Sequence, residues 1–406
     1  MKFVIHTQYY PPETGAPQAR LSEFAERLVQ YGHEVTVVTA MPNYPLGRIY
    51  TGYGGLLKRE VIKGVKVIRV WIYPTKSVSF IPRLSNYFSF VLSSLFLGAA
   101  LLPRVDYILT ESPPLFLGIS GFILSRLKRA HWIFNVSDLW PETAVRLGVI
   151  GKGALLKVSE RLEAFCYRKA WLVTGQSREI LQGVKRRLSG VRTFHLSNGV
   201  DSSHFTPNLH STTLQRELGE GATCVAIYAG LHGIAQGLAQ ILEAARILQN
   251  LDGKLKIVFI GDGAEKESLM QKAQGLQNVK FLPSRPREDI PKLLASADIA
   301  LVPLKTYIPG AVPSKLYEAM ASALPVVLVA NGEAERIVNE SGAGITVSPG
   351  IVNDLAQALR QMTLETDLRR KLGEQGRQSV LEKYDRGLIV DNFVNFLEEH
   401  FGNSKK

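Results

Sequence analysis

Short apolar runs alternate with segments of helical period from one end of the chain to the other, the pattern of parallel sheets covered by helices. Phe3, Val4 and Ile5 read as a strand, Leu21, Phe24, Ala25, Leu28 and Val29 recur at helical spacing, and residues 34–39 return as a strand after Gly32. This is a β-α-β unit. Further strands read at 67–70, 107–110, 132–136, 172–174 and 193–196, with helices at about 84–101 and 152–170. After a loop at 198–207 the alternation restarts. Strands read at 225–228, 256–260, 279–282, 299–302 and 326–328, and helices follow from 237, from 264, at 288–296, at 314–323 and beyond 354. The predicted fold class is α/β, with two Rossmann-like doubly wound parallel sheets in residues 1–200 and 207–384. Their strand ends are expected to face across a cleft. A last helical stretch at about 385–406, with Leu388, Phe393, Phe396 and Leu397 in register, can pack back on the first domain, and it ends in the polar tail 402–406.

A length of 406 residues is too great for one hydrophobic core, which agrees with the restart of the alternation. The two cysteines, Cys166 and Cys224, stand far apart without the spacing of a metal motif, so the chain is expected in a reducing cytoplasm without a disulfide framework. The first seven residues hold too short an apolar run for a signal peptide, which gives the same expectation. Charge divides the chain. Residues 1–200 hold 26 Lys and Arg against 12 Asp and Glu, net +14, whereas residues 201–406 hold 22 against 24. No zinc-finger, homeodomain or RNA-recognition signature accompanies the basic half, which points away from nucleic acid. It points toward an anionic membrane surface, because twenty uncharged residues at 84–103 follow a stretch, 51–83, with seven Lys or Arg and one Glu. Four Ser and one Asn dilute the uncharged run, which favours a buried or membrane-surface helix over a spanning one.

Candidate chemistry lies where strands give way to helices. Pro11 to Arg20 forms a rigid turn around Gly15, and backbone amides at such a helix start suit phosphate or a polar sugar. A plain β-α turn reads the same way. Gly230, Gly233 and Gly237 form a second glycine-bearing loop after a strand. Their spacing is not the G-x-G-x-x-G of a dinucleotide fold, and no acidic residue follows near the expected position, so a nicotinamide cofactor is not expected. Gly261-Asp262-Gly263 reads as a structural turn. The most informative segment is 309–327, where Pro313 and Ser314 start a helix whose free N–H groups suit a diphosphate. Lys315 adds a cation at that helix end, Ser314, Lys315 and Leu316 are expected to bind the donor there, and Glu318, one turn on, is expected to accept from a ribose diol. A capped helix with a solvated Lys and Glu is the plainer alternative.

The chain resembles glycosyltransferase family 4, retaining enzymes of GT-B fold that use nucleotide-sugar donors, over nearly its whole length. The resemblance is carried by Pro11-Pro12-Glu13-Thr14-Gly15, Asp138-Leu139-Trp140-Pro141-Glu142, Asn198-Gly199-Val200-Asp201 with Phe205, and Tyr228-Ala229-Gly230. It continues through Gly261-Asp262-Gly263, Ala297-Asp298-Ile299-Ala300-Leu301-Val302-Pro303 and Tyr317-Glu318-Ala319-Met320-Ala321 with Pro325-Val326-Val327. It implies an acceptor-binding first domain and a donor-binding second one. The chain departs from the pattern twice. Gly310 stands eight before Glu318, where many members carry a first glutamate, and Leu231 and Gln236 stand where many carry Arg and Lys. Lys315 and Arg285 are then expected to offset the diphosphate charge, and Glu13 and Asp138 either to orient or deprotonate the acceptor or to serve as a helix cap or salt-bridge partner. Pro313-Ser314-Lys315 resembles the subset that builds O-antigen and capsule repeats, including transferases of N-acetyl-L-fucosamine.

The function this implies is transfer of an N-acetylhexosamine or deoxy-amino sugar from a UDP-linked donor to a lipid-linked or saccharide acceptor. The chain would be a cytoplasmic protein held peripherally at the inner face of the membrane. With no Asp-x-Asp pair, no metal and no cofactor beyond the nucleotide-sugar co-substrate are expected. The alternatives are a nucleotide-sugar 2-epimerase and a non-catalytic nucleotide-sugar binding protein.

Overall fold

The computed structural model describes residues 1–77, 79–146, 151, 153–251 and 253–401. The polar tail 402–406, and Lys152 within the helix read at 152–170, lie outside them. The chain divides into two units: unit 1 holds the residues up to Ser197 and those from Val390 onward, and unit 2 holds Asn198–Ile389.

Unit 1 contains β1 (Lys2–His6), α1 (Ala16–Gln30), β2 (Glu34–Ala40), β3 (Leu57–Ile62), β4 (Val65–Val70), α2 (Phe80–Leu101), β5 (Tyr107–Ser112) and α3 (Leu117–Lys128). It continues with β6 (His131–Val136), α4 (Glu142–Arg146), α5 (Ala154–Lys169), β7 (Leu172–Gly175), α6 (Arg178–Arg187) and β8 (Thr193–His195). The sheet runs β3-β4-β2-β1-β5-β6-β7-β8, so the order reverses between β1 and β5. All pairs are parallel except β3 with β4, an antiparallel edge that the apolar pattern does not predict. Helix α2 carries one charge, Arg83, yet it is well terminated: the Lys128 ammonium donates to the carbonyls of Ala99 (2.7 Å) and Leu102 (2.5 Å), which would otherwise be orphaned at its C-terminus.

Unit 2 contains α7 (Thr212–Gly219), β9 (Cys224–Ala229), α8 (Ala239–Ile247), β10 (Leu255–Ile260), α9 (Lys266–Lys272), β11 (Val279–Leu282), α10 (Ile290–Ala295) and β12 (Ile299–Pro303). It continues with α11 (Ser314–Ala321), β13 (Val326–Val329), α12 (Glu333–Ser341), β14 (Gly344–Val347), α13 (Val352–Leu364) and α14 (Thr366–Ser379). The strands are all parallel in the order β11-β10-β9-β12-β13-β14, with the reversal between β9 and β12. Strand alternation divides its core between the two faces of the sheet. Val225 and Ile227 join one apolar cluster, and Cys224, Ala226 and Tyr228 join the other.

The last helix, α15 (Arg386–Phe401), starts in unit 2, and its residues from Val390 onward belong to unit 1. There Phe393 is fully buried, with ring centroids 5.6 Å from Phe24 and 5.4 Å from Phe194. Within unit 2, the segment after Asn198 is stitched to the start of this helix: Val200 N–H donates to Tyr384 O (2.9 Å), and Arg386 N–H donates to Val200 O (3.0 Å).

Candidate functional site

In an open parallel sheet, ligands bind outside the carboxyl ends of the strands where the order reverses, which in unit 2 is the end of β9 and β12. The chain leaves β9 through Gly230, Leu231, His232 and Gly233, and it enters α11 at Pro313 and Ser314. These two segments meet at one lysine. Lys315 stands in the first turn of α11, its Nζ 5.6 Å from the Tyr228 ring centroid, and a Cβ on Gly230 would fall on Lys315 Cε and within 2.6 Å of Nζ. Gly230 has φ +148°, so both its conformation and this approach require the missing side chain. Gly261, at φ +146°, backs onto the Gly230 carbonyl in the same way.

Glu318 lies one turn along α11. Burial pushes its carboxyl above the usual range, while Lys315, Arg287 and a hydrogen bond from Ser314 pull it back. Burial likewise lowers the Lys315 ammonium, and Glu318 opposes this. Each of the two opposes the other's shift, and their i, i+3 spacing places them on one helix face, partly withdrawn from water. The structure thus brings Gly230, Ser314, Lys315 and Glu318 together. Gly233 lies in the same loop and opens a short 3-10 turn, Ile234–Gln236.

One expectation from this half needs correcting, and a second cation stands close to an expected one. Leu316 turns its side chain into the apolar core and contributes none to the site, because the helix rotates it away from Lys315 and Glu318. Arg285 is exposed in the loop after β11, and the arginine whose charge reaches Glu318 is Arg287, two residues further on.

His232 is fully buried, with neither ring nitrogen hydrogen-bonded. It lies among Tyr228, Phe259 and Phe281, at ring-centroid distances of 5.8 to 6.2 Å. Burial holds its imidazole below the usual range, Lys266 and Lys315 act in the same sense, and Asp262 opposes them. The sequence marks it only as a histidine before a glycine, a signal too weak to separate a site residue from a core one.

In unit 1 the corresponding reversal lies at the ends of β1 and β5. Glu13 is buried, and its carboxylate accepts the backbone N–H groups of Asn43 (2.8 Å), Tyr44 (2.8 Å) and Tyr10 (3.3 Å). Burial raises its pKa, and those three N–H groups and Arg69 lower it. Both oxygens are thus engaged in tying the 43–44 loop to the turn after β1, which makes Glu13 a positioning residue. Gly15 caps α1 without a side-chain bond, and the Gln18 carboxamide oxygen folds over it into the space a Cβ would occupy.

Asp138 follows β6 and accepts the Thr143 hydroxyl at 2.6 Å. Burial pushes its carboxyl up, Glu142 adds to this, and the Thr143 and Leu139 donors oppose it. Its neighbour Ser137 belongs to a polar network that the sequence does not announce. Glu111, at the end of β5, accepts from Arg20 (2.5 Å), Ser137 (2.5 Å) and Asn135 (2.6 Å), and Asn135 accepts from Thr174 at the end of β7 (2.6 Å). The available signal was a carboxylate and an amide closing otherwise apolar strands.

Sequence and structure comparisons agree with this division. Residues 15–199 match the glycosyl transferase 4-like domain, and residues 215–379 match the glycosyl transferases group 1 domain. WcaI of Escherichia coli (strain K12), a glycosyl transferase assigned to colanic acid biosynthesis, is 28% identical over 97% of this chain and 99% of its own. A sucrose-phosphate synthase from Thermosynechococcus elongatus superposes with a TM-score of 0.75 at 17% identity, covering 99% of this chain and 100% of that one. HepE of Anabaena, solved with UDP-glucose, gives 0.70 at 17% over 98% and 100%. At these identities the two structures speak for the fold. Both domain matches are to transferases, so the epimerase alternative is not favoured. With a transferase 4-like domain in its first half, a group 1 domain in its second and a doubly wound sheet in each, the chain belongs to the glycosyltransferases of GT-B fold.

Proposed function

We propose that the protein transfers an N-acetylhexosamine or deoxy-amino sugar from a UDP-linked donor, with retention, to a lipid-linked or saccharide acceptor in surface polysaccharide synthesis. The observation that carries the reading is Lys315 and Glu318 on the first turn of α11, at the order reversal of the unit 2 sheet, with the Gly230 backbone packed on the lysine. Support for the pathway comes from the name of WcaI, and support for the uridine base from the ligand of HepE.

The chemistry follows from charge. A departing diphosphate needs compensation, which the Lys315 ammonium and the free N–H groups opening α11 supply. A ribose diol donates to the Glu318 carboxyl, which Lys315, Arg287 and Ser314 draw toward its ionised form against its burial. In this reading Asp138 orients the acceptor hydroxyl, supported by its bond from Thr143 and its carboxyl raised by burial. No divalent ion is invoked. The reaction is placed at the cytoplasmic face of the membrane.

The test is thermal stabilisation by UDP, GDP, ADP and dTDP, each with and without EDTA. UDP is expected to raise the midpoint most, equally in chelator; Lys315→Ala should abolish the rise and Glu318→Gln should weaken it. Loss of the UDP effect in EDTA would remove metal independence, and an unchanged UDP effect in both variants would remove the site.

A further inference from the structure

The turns that leave β9 and β10 are laced together. Gly230 N–H donates to Ile260 O (2.8 Å), His232 N–H donates to Asp262 O (2.8 Å), and Glu265 N–H returns to His232 O (3.0 Å). Two donors spaced by two residues on one neighbour continue the parallel ladder past the end of the strand. The backbone groups of Leu231, between them, therefore turn to the other side, where β12 lies and α11 begins. There the Leu231 carbonyl accepts the Tyr228 hydroxyl (2.6 Å), and Lys315 Nζ lies 5.6 Å from the centroid of that same ring. Among the described residues the Leu231 N–H has no acceptor. It is an open donor on the lysine's side of the strand.

The other end of that peptide is open as well. The Gly230 carbonyl, joined to the Leu231 nitrogen, points at Gly261, where a Cβ would fall on its oxygen and 3.3 Å from His232 Nε2. No donor among the described residues reaches this oxygen. His232 thus holds a ring nitrogen beside an unpaired carbonyl, and it is itself fully buried with both nitrogens unbonded. Alternation along β9 accounts for the burial: Cys224, Ala226 and Tyr228 join one apolar cluster, and the histidine follows in phase, beside Phe259 and Phe281. It does not account for an imidazole. Phenylalanine would fill the same place without stranding two polar atoms, which cost stability when buried without partners.

We infer that His232 is a positioning residue for the donor: its Nε2–H takes the Gly230 carbonyl when the Leu231 N–H, at the far end of the same peptide, takes a phosphate oxygen of the nucleotide diphosphate. The N–H and C=O of a planar trans peptide point in opposite directions, so one bond fixes the direction of the other. Each also polarises the unit in favour of the second. Lys315 supplies charge to the diphosphate, and His232 fixes the direction of a neutral donor beside it. The inference rests on the transferase reading and adds to it a residue that touches no substrate.

The experiment is calorimetric titration of the full chain with UDP and with uridine, which shares the base and ribose and lacks the diphosphate. The parent is expected to prefer UDP. His232→Phe should weaken UDP about tenfold, leave uridine unchanged, and melt at the same temperature as the parent or higher. His232→Gln keeps an N–H donor and should recover part of the lost UDP affinity. In the parent with isotope-labelled histidine nitrogens, UDP should move the Nε2–H resonance that both variants lack, and uridine should leave it in place. Should His232→Phe not fold, the resonance and His232→Gln still decide. Unchanged UDP affinity in the variants, an equal loss for uridine, or an unmoved resonance would overturn the inference. If the parent binds UDP and the variants match it, the positioning role falls alone. If the parent does not bind UDP above uridine, the transferase reading falls with it.

Discussion

At the scale of single residues, the chain places titratable groups where burial and charge oppose each other. His6 ends β1 fully buried, its Nε2 3.0 Å from the Ser94 hydroxyl on α2, and burial lowers its pKa to about 3. Ser94 in turn donates to Val91 O, so the imidazole Nε2–H is the donor in that contact. The unfolded chain binds a proton near the ordinary pKa of about 6.5, so this stability is fully present above that value and is lost as pH falls toward 3. Melting midpoints from pH 7 to 4 are expected to fall less steeply in His6→Asn than in the parent, whatever the variant loses at neutral pH, and parallel curves would remove His6 as the source. The residues legible in the sequence were those fixed by local geometry. Lys315 and Glu318 share a helix face by spacing alone, whereas Leu316, adjacent in sequence, is carried to the opposite side by the same rotation. The partners of Glu13 were not legible, because the N–H groups it accepts come from residues 43 and 44, brought there by a loop whose path no local pattern encodes. Arg287, whose charge reaches Glu318, went unread for the same cause, a turn whose direction the sequence does not fix.

At the scale of elements, the parallel strands were legible because they are buried on both faces and read as continuous apolar runs. β3 was not, since Leu57–Ile62 is a half-exposed edge with Lys58, Arg59 and Glu60 at its centre. What holds it is a charge in the neighbouring strand. Arg69 of β4 is fully buried, donates through Nε to Glu60 at 2.5 Å, reaches the carbonyls of Pro11 and Ala40, and lies 5.1 Å from the Tyr53 ring centroid. Arg69→Ala leaves those acceptors unpaired and is expected to cost about 3–5 kcal/mol in urea denaturation. Glu60→Gln keeps an acceptor in place and should cost clearly less. Equal losses would mean that the ion pair, and not the guanidinium's whole set of partners, anchors the edge. β14 and α12 escaped the sequence reading for a related reason, being a short strand and a polar-faced helix at the other sheet's edge, where burial writes a weaker pattern.

At the scale of the whole chain, unit 1 is completed by residues that come last. Phe393 and Leu397 are fully buried there, and the Tyr107 hydroxyl donates to Leu397 O at 3.4 Å. All four tryptophans, Trp71, Trp132, Trp140 and Trp171, lie in unit 1, so their fluorescence follows its unfolding alone. Phe393→Ala is expected to shift that transition by about 3–5 kcal/mol while UDP still stabilises the protein; an unmoved tryptophan transition would show that α15 is dispensable to unit 1. The helix itself was legible from its apolar spacing, but its address was not, because Leu388, Phe393, Phe396 and Leu397 would suit any apolar surface. Residues 198–389 leave and re-enter the first unit's sequence at positions that, inside the second, are bonded side by side through Val200, Tyr384 and Arg386. A segment with adjoining ends behaves as a cassette. Two nearby cuts would release it whole, so a recombining gene can trade one such segment for another while the host sheet stays as it was.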